Sequence, residues 1–173
     1  MSNVYWITGL AGAGKTTIGR LLYEYLKKKN DNLVFLDGDV LRKVFGNDLG
    51  YTERERRKAA MRNARLCKLL QEQGIHVICC TIGMFDEVRD WNRKNINNYY
   101  EVYIKVSMDT LKKRDKKNLY TKASVGDEKE LVGVNIPMEE PKNPDLILYN
   151  DGEKSPEEQL EILKKSFSLC EEH

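Results

Sequence analysis

Residues 4-VYWITGLAGAGKTTIGRLL-22 decide the fold. An apolar run from Val4 to Thr8 reads as a strand. Three glycines, a lysine and two threonines follow within nine residues. Ile18, Leu21, Leu22, Tyr25 and Leu26 then recur at helical spacing. Gly9, Gly14, Lys15 and Thr16 fit G-x-x-x-x-G-K-[ST], between a strand and an amphipathic helix as that motif requires. Glycines open backbone conformations closed to other residues, so successive N–H groups can turn inward onto phosphate oxygens. The helix N-terminus adds partial positive charge. The expected ATP-binding set is Gly9, Leu10, Ala11, Gly12, Ala13, Gly14, Lys15, Thr16 and Thr17. Lys15 reaches the β- and γ-phosphates, and the Thr16 hydroxyl ligates Mg²⁺.

Outward from this loop, apolar runs alternate with longer helical patterns. The expected strands are Val4–Thr8, Leu33–Leu36, Ile75–Thr81, Glu101–Val106 and Leu146–Tyr149. The expected helices are Lys15–Lys29, Thr52–Gln73, Asp86–Asn97 and Pro156–Cys170. Thr52 with Glu55 reads as a capping box, and Ser155 before Pro156 as an N-cap with proline in the first turn. The alternation predicts an α/β fold, a parallel five-stranded sheet with helices on both faces. Residues 115–144 hold little periodicity, much charge, and three of the four prolines. They read as a mobile lid, cleaved by protease between Lys116 and Glu140 unless nucleotide is bound.

With 173 residues, 40% hydrophobic and 32% charged, the chain fits one domain spanning 1–173. A net charge of +2 gives no sign of nucleic acid as partner. Basic residues do cluster, in 54-RERRK-58 with Arg62, Arg65 and Lys68, and in 112-KKRDKK-117. These read either as solvated faces or as a surface meeting an anionic small molecule. No apolar run approaches membrane-spanning length, and the N-terminus lacks a secretion-signal pattern. Cys67, Cys79, Cys80 and Cys170 read as reduced fillers of a cytoplasmic protein. With only His76 and His173, a Cys/His zinc site is not expected.

The acids sit early, in 36-LDGD-39 at the end of the second strand. Ligands of open α/β sheets bind beyond the carboxyl ends of strands, so Asp37 and Asp39 should face the glycine loop. No N-K-x-D reads a guanine base, and 75-IHVICCTIG-83 ends without the acid of a motor ATPase. The arrangement suits a small-molecule kinase in which a carboxylate acts through the metal or accepts the proton of an attacking hydroxyl.

These residues resemble the adenylylsulfate kinase family from about Tyr5 to Asn150. The resemblance rests on 9-GLAGAGKTT-17, 36-LDGDVLR-42, 48-DLGYTERER-56, 114-RDKKNLY-120 and 139-EEPKNPDL-146. It implies a P-loop kinase fold, ATP with Mg²⁺, a nucleotide acceptor offering a ribose 3′-hydroxyl, and often a homodimer. By that resemblance Asp39 is the base, Asp37 supports it and the metal with Thr16, and Arg114 packs on the ATP adenine. Lys117 enters the site on lid closure. Arg42, Tyr51, Arg56, Arg62 and Leu131 complete the acceptor side.

The departures lie in the acceptor half. The family's E-N-I-R-R, whose Asn and first Arg hold adenylylsulfate, reads 58-KAAMR-62 here, so Ala59 and Met61 replace them. An S-P-Y-R-like turn reads 83-GMFD-86, placing Asp86 where the family has a positive charge. The lid's stacking Phe is Leu131. Each aromatic partner contributes about 1–3 kcal/mol to a stacked base, so these losses amount to a factor of hundreds for adenylylsulfate. They resemble the cytidine diphosphoramidate kinase branch, which acts in capsule phosphoramidate synthesis. The competing readings are an ordinary adenylylsulfate kinase and a nucleotide-binding regulatory module without turnover.

Overall fold

The computed structural model describes residues 1–115, 118–126 and 130–169. In chain order the elements are β1 (Val4–Thr8), α1 (Lys15–Lys27), β2 (Leu33–Asp37), α2 (Gly38–Val44), α3 (Glu53–Glu72), β3 (His76–Cys80), α4 (Asp86–Asn95), β4 (Tyr99–Lys105), α5 (Met108–Lys113), α6 (Leu119–Ser124), β5 (Leu146–Tyr149) and α7 (Pro156–Ser166). The strands form one parallel sheet in the order β2-β3-β1-β4-β5. Helices α1 and α7 pack together on one face, with α3 and α4 together on the other. The chain is therefore α/β, as the alternation predicts.

Central β1 is buried along its whole length. A strand covered on both faces needs apolar residues at consecutive positions, which the run of Val4, Tyr5, Trp6 and Ile7 supplies. Alternation instead shows at Cys79 and Cys80. The Cys80 thiol faces the Lys15 carbonyl in α1, while Cys79 faces Cys67 in α3. All three are free and buried; Cys170 lies outside the described residues. Helix α1 buries Ile18, Leu22 and Leu26 against the sheet, each contributing about 2 kcal/mol by leaving water. Capping boxes form at Thr52/Glu55 and Ser155/Glu158. No helix among the described residues is long and apolar enough to cross a membrane.

Three short helices escape the sequence reading: α2, α5 and α6. Each is six or seven residues long, too short for a period to register. Local caps define two of them instead, Asp37 for α2 and Ser107 for α5. In the 115–144 stretch, Tyr120, Ala123, Leu131, Val132 and Ile136 are all buried. These residues therefore contribute to the core, which the weak periodicity of the stretch does not announce. Its apolar residues are widely spaced and meet the core only through tertiary packing. Strand β4 begins at Tyr99, two residues before the expected Glu101.

Candidate active site

The register places the chemistry. Asp37 of β2 pairs with Cys80 of β3, and Cys80 pairs with Ile7 of β1. Asp37 thus ends two strands, roughly 10 Å, from the start of the glycine loop. Gly14 takes a left-handed φ of +102°, and a Cβ there would lie 2.6 Å from the Asn150 amide. That amide donates to the Ala13 carbonyl at 2.8 Å, so the loop is fixed from the end of β5. Tyr120 of α6 donates to the Ala11 carbonyl.

A cleft of about 1030 Å³ opens above the sheet. On its nucleotide side lie Ala11, Gly12, Gly14, Lys15, Thr16, Thr17 and Arg114. Gly9, Leu10 and Ala13 are the expected loop residues that do not line it. The side chains of Leu10 and Ala13 turn into the core, although the Leu10 carbonyl accepts from Lys15 Nζ at 2.8 Å. Arg114 Nη2 donates to the Asn150 carbonyl at 2.6 Å. Lys117 lies outside the described residues.

Asp37 ends β2 and caps α2, with Oδ1 accepting from the backbone N–H of Asp39 at 2.9 Å. Its Oδ2 accepts from Thr16 Oγ1 at 2.8 Å. A hydroxyl and a carboxylate this close fit a hard, oxygen-ligated divalent cation whose remaining ligands are water and phosphate. No cluster of three His, Cys, Asp or Glu side chains fit to hold a metal occurs among the described residues. Asp39 starts α2 inside the cleft, and its charge is felt at both Lys15 and Arg56. It therefore stands between Lys15 of the glycine loop and Arg56 of α3.

Burial pushes the Lys15 amine down to about 8, against the opposing pull of neighbouring acids that include Asp39 and Asp37. A bound triphosphate raises that value again. ATP binding should therefore take up a proton above about pH 8, and affinity should fall about tenfold per pH unit there while remaining flat below. Calorimetry in two buffers of different ionisation enthalpy reads this uptake. An affinity unchanged from about pH 7 to about pH 9.5 would place the Lys15 transition elsewhere.

Arg42, Tyr51, Arg56, Arg62 and Leu131 line the same cleft, away from the glycine loop. Several are already engaged. Arg42 donates to the Leu49 and Gly50 carbonyls at 3.1 and 2.9 Å. The Tyr51 ring has Arg42 and Arg56 guanidinium groups 4.5 and 5.1 Å from its centre. Arg56 also donates to the Glu130 carbonyl, tying α3 to the 115–144 stretch. Arg62 pairs with Asp48 at 2.9 Å.

The residues that depart from the family pattern separate in space. Ala59 lines the cleft; Met61 lines a different groove, of about 810 Å³, with Arg54, Arg57, Lys58 and Arg65. Residues two apart on a helix point about 200° apart, which sends Ala59 and Met61 to different grooves. The basic run divides in the same way, with Arg56 and Arg62 reaching the cleft. Asp86 is neutralised by Arg89 and Lys142, at 2.7 and 3.2 Å, and brings no free charge to the acceptor. Asn63 and Thr81 line the cleft without having been expected there. Asn63 does carry a signal, standing seven residues after Arg56 and four after Ala59 on one stripe of α3.

The Adenylylsulphate kinase family profile matches residues 1–149. A Cytidine diphosphoramidate kinase of Campylobacter jejuni is 45% identical over 166 residues, 96% of each chain. An Adenylyl-sulfate kinase of Halothermothrix orenii is 36% identical over 159 residues, 92% of this chain and 86% of its own. The Mycobacterium tuberculosis APS kinase solved in complex with AMPPNP and APS superposes with a TM-score of 0.87 at 30% identity. That superposition covers 96% of this chain and 98% of the other.

Proposed function

The chain belongs to the adenylylsulphate kinase family, and from that premise we propose that it moves the γ-phosphate of ATP onto the ribose 3′-hydroxyl of cytidine diphosphoramidate. That it is a phosphotransferase with a hydroxyl acceptor follows from its relatives. The observation carrying the narrower reading is the 45% identity to the Campylobacter jejuni enzyme, against 36% to the Halothermothrix orenii one. Ala59 and Leu131 in the acceptor half of the cleft agree with it. The reaction would serve capsule phosphoramidate synthesis, in the cytoplasm, by a single-domain protein acting as a homodimer. The second reading, adenylylsulfate as acceptor, draws on the family profile itself.

In the proposed mechanism the glycine loop and Lys15 hold the triphosphate, and Arg114 packs beside the ATP adenine. Thr16 and Asp37 would hold Mg²⁺, which supplies charge neutralisation at the phosphates when bound. Asp39 accepts the proton of the 3′-hydroxyl as the oxygen–phosphorus bond forms. The bond to the β,γ-bridging oxygen breaks, and ADP leaves with its developing charge against Lys15. Arg42, Tyr51, Arg56 and Arg62 position the acceptor, with Leu131 as a wall. Lys117 is proposed to join them from the lid spanning about 115–144.

The test is ADP release with MgATP and each acceptor, products identified by phosphorus NMR. The proposal expects efficient turnover with the cytidine compound and kcat/KM lower by about 10²-fold with adenylylsulfate. The reverse preference assigns the chain to adenylylsulfate. ATP binding without acceptor-dependent turnover would make it a regulatory module.

A further inference from the structure

Helix α3 presents Ala59, Ala60 and Asn63 to the acceptor side of the cleft. Asn63 is only 5% exposed. Its carboxamide offers two donors and an acceptor, yet has no hydrogen-bond partner among the described residues. Each of the other buried carboxamides makes at least one bond, although Asn92 Oδ1 and Gln159 Oε1 are themselves buried without a partner. Gln71 donates to the carbonyls of Ser2 and Asn97. Asn92 donates to the Tyr99 hydroxyl at 3.4 Å, and Gln159 to the Tyr149 carbonyl at 2.5 Å. The Asn63 amide atoms are not sealed from the cleft that the residue lines, so they are available to a ligand there. Asn63 is the exception, and it is the one of these four that lines the cleft.

Its surroundings suit a flat heterocycle. Phe85, Leu131 and Val132 are buried apolar walls of the same cleft, and the two alanines leave room in front of α3. We propose that Asn63 reads the edge of the acceptor base. Oδ1 accepts from an exocyclic amine while Nδ2 donates to the neighbouring ring nitrogen, as cytosine presents at N4 and N3. This inference rests on the reading of the chain as a nucleotide 3′-kinase. Adenine offers the same pair at N6 and N1, so the carboxamide selects an amino-bearing base. Selection between the two bases falls to the stacking walls, Tyr51 and Leu131.

The experiment compares kcat/KM of wild type and Asn63→Leu on cytidine diphosphoramidate and on its pyrimidin-2-one analogue, which lacks the amine. Wild type should favour the amine-bearing acceptor about tenfold or more, as one lost hydrogen bond implies. The variant should show no preference and an unchanged KM for ATP. Its melting temperature should stay level or rise by a few °C, because leucine leaves no amide to desolvate. Equal preference in both proteins overturns the proposal, most plainly with a lowered melting temperature, which would make Asn63 structural. Asn63→Ala gives the same readout if the leucine variant does not fold. Should wild type turn over adenylylsulfate alone, the same comparison runs on its analogue without the N6 amine. A preference lost in the variant then keeps Asn63 while removing the cytidine reading, and a preference retained removes Asn63. No turnover of either nucleotide overturns both.

Discussion

Asp39→Asn is expected to lower turnover by about 10²–10⁴-fold, the range for losing a positioned general base. ATP affinity should be nearly unchanged, because Asp39 is not among the loop groups that hold the triphosphate. The fold gives this substitution little to disturb. The contact that anchors position 39 is its backbone N–H to Asp37 Oδ1, which asparagine keeps. The side chain lies exposed in the first turn of α2, where losing a carboxylate costs about 0.3–1 kcal/mol of helix-dipole interaction. Single-turnover kinetics with pre-bound MgATP separates the chemical step from binding. Turnover within a few-fold of wild type would remove Asp39 from the role of base.

Lys15→Ala should lower kcat by about 10²–10³-fold, as for removal of one preorganised charge-stabilising group. It should also weaken ATP binding, in contrast to Asp39→Asn. Lys15 Nζ donates to the Leu10 carbonyl, but that carbonyl also accepts from the Ala13 N–H at 3.1 Å. The loop therefore keeps an internal bond when the lysine is removed, and the melting temperature should barely move. Lost activity with retained stability is the expected pattern. Near-normal rates would sink the reading of the glycine loop as the phosphate site.

The nucleotide half was legible because its information is local. A left-handed φ at Gly14 needs a glycine, a hydroxyl beside the loop lysine needs Thr16, and β1 needs consecutive apolar residues. Each follows from a few adjacent residues and the chemistry of phosphate. Asp37 and Asp39 were nearly as readable, since parallel strands ending at one edge bring their next residues together. The acceptor half was read less well. The family comparison assigns Ala59 and Met61 to one pocket, whereas the 100° step of a helix sends them to different grooves. That step was available in the sequence. The i,i+3 pair of Asp86 with Arg89 was equally available, whereas its pair with Lys142 was not, because that joins residues far apart in the chain.

By itself, then, the sequence determined a parallel α/β sheet, a triphosphate loop on β1, and two carboxylates at the end of β2. Period, cap and glycine conformation are short-range and survive without neighbours. Tertiary structure alone decided which cations face the cleft, how much of residues 115–144 joins the core, and that Asn63 stands there without a partner. Those outcomes depend on which surfaces meet across the sheet and between α3 and the 115–144 stretch. Packing sets them through contacts such as Arg56 with the Glu130 carbonyl, 74 residues away.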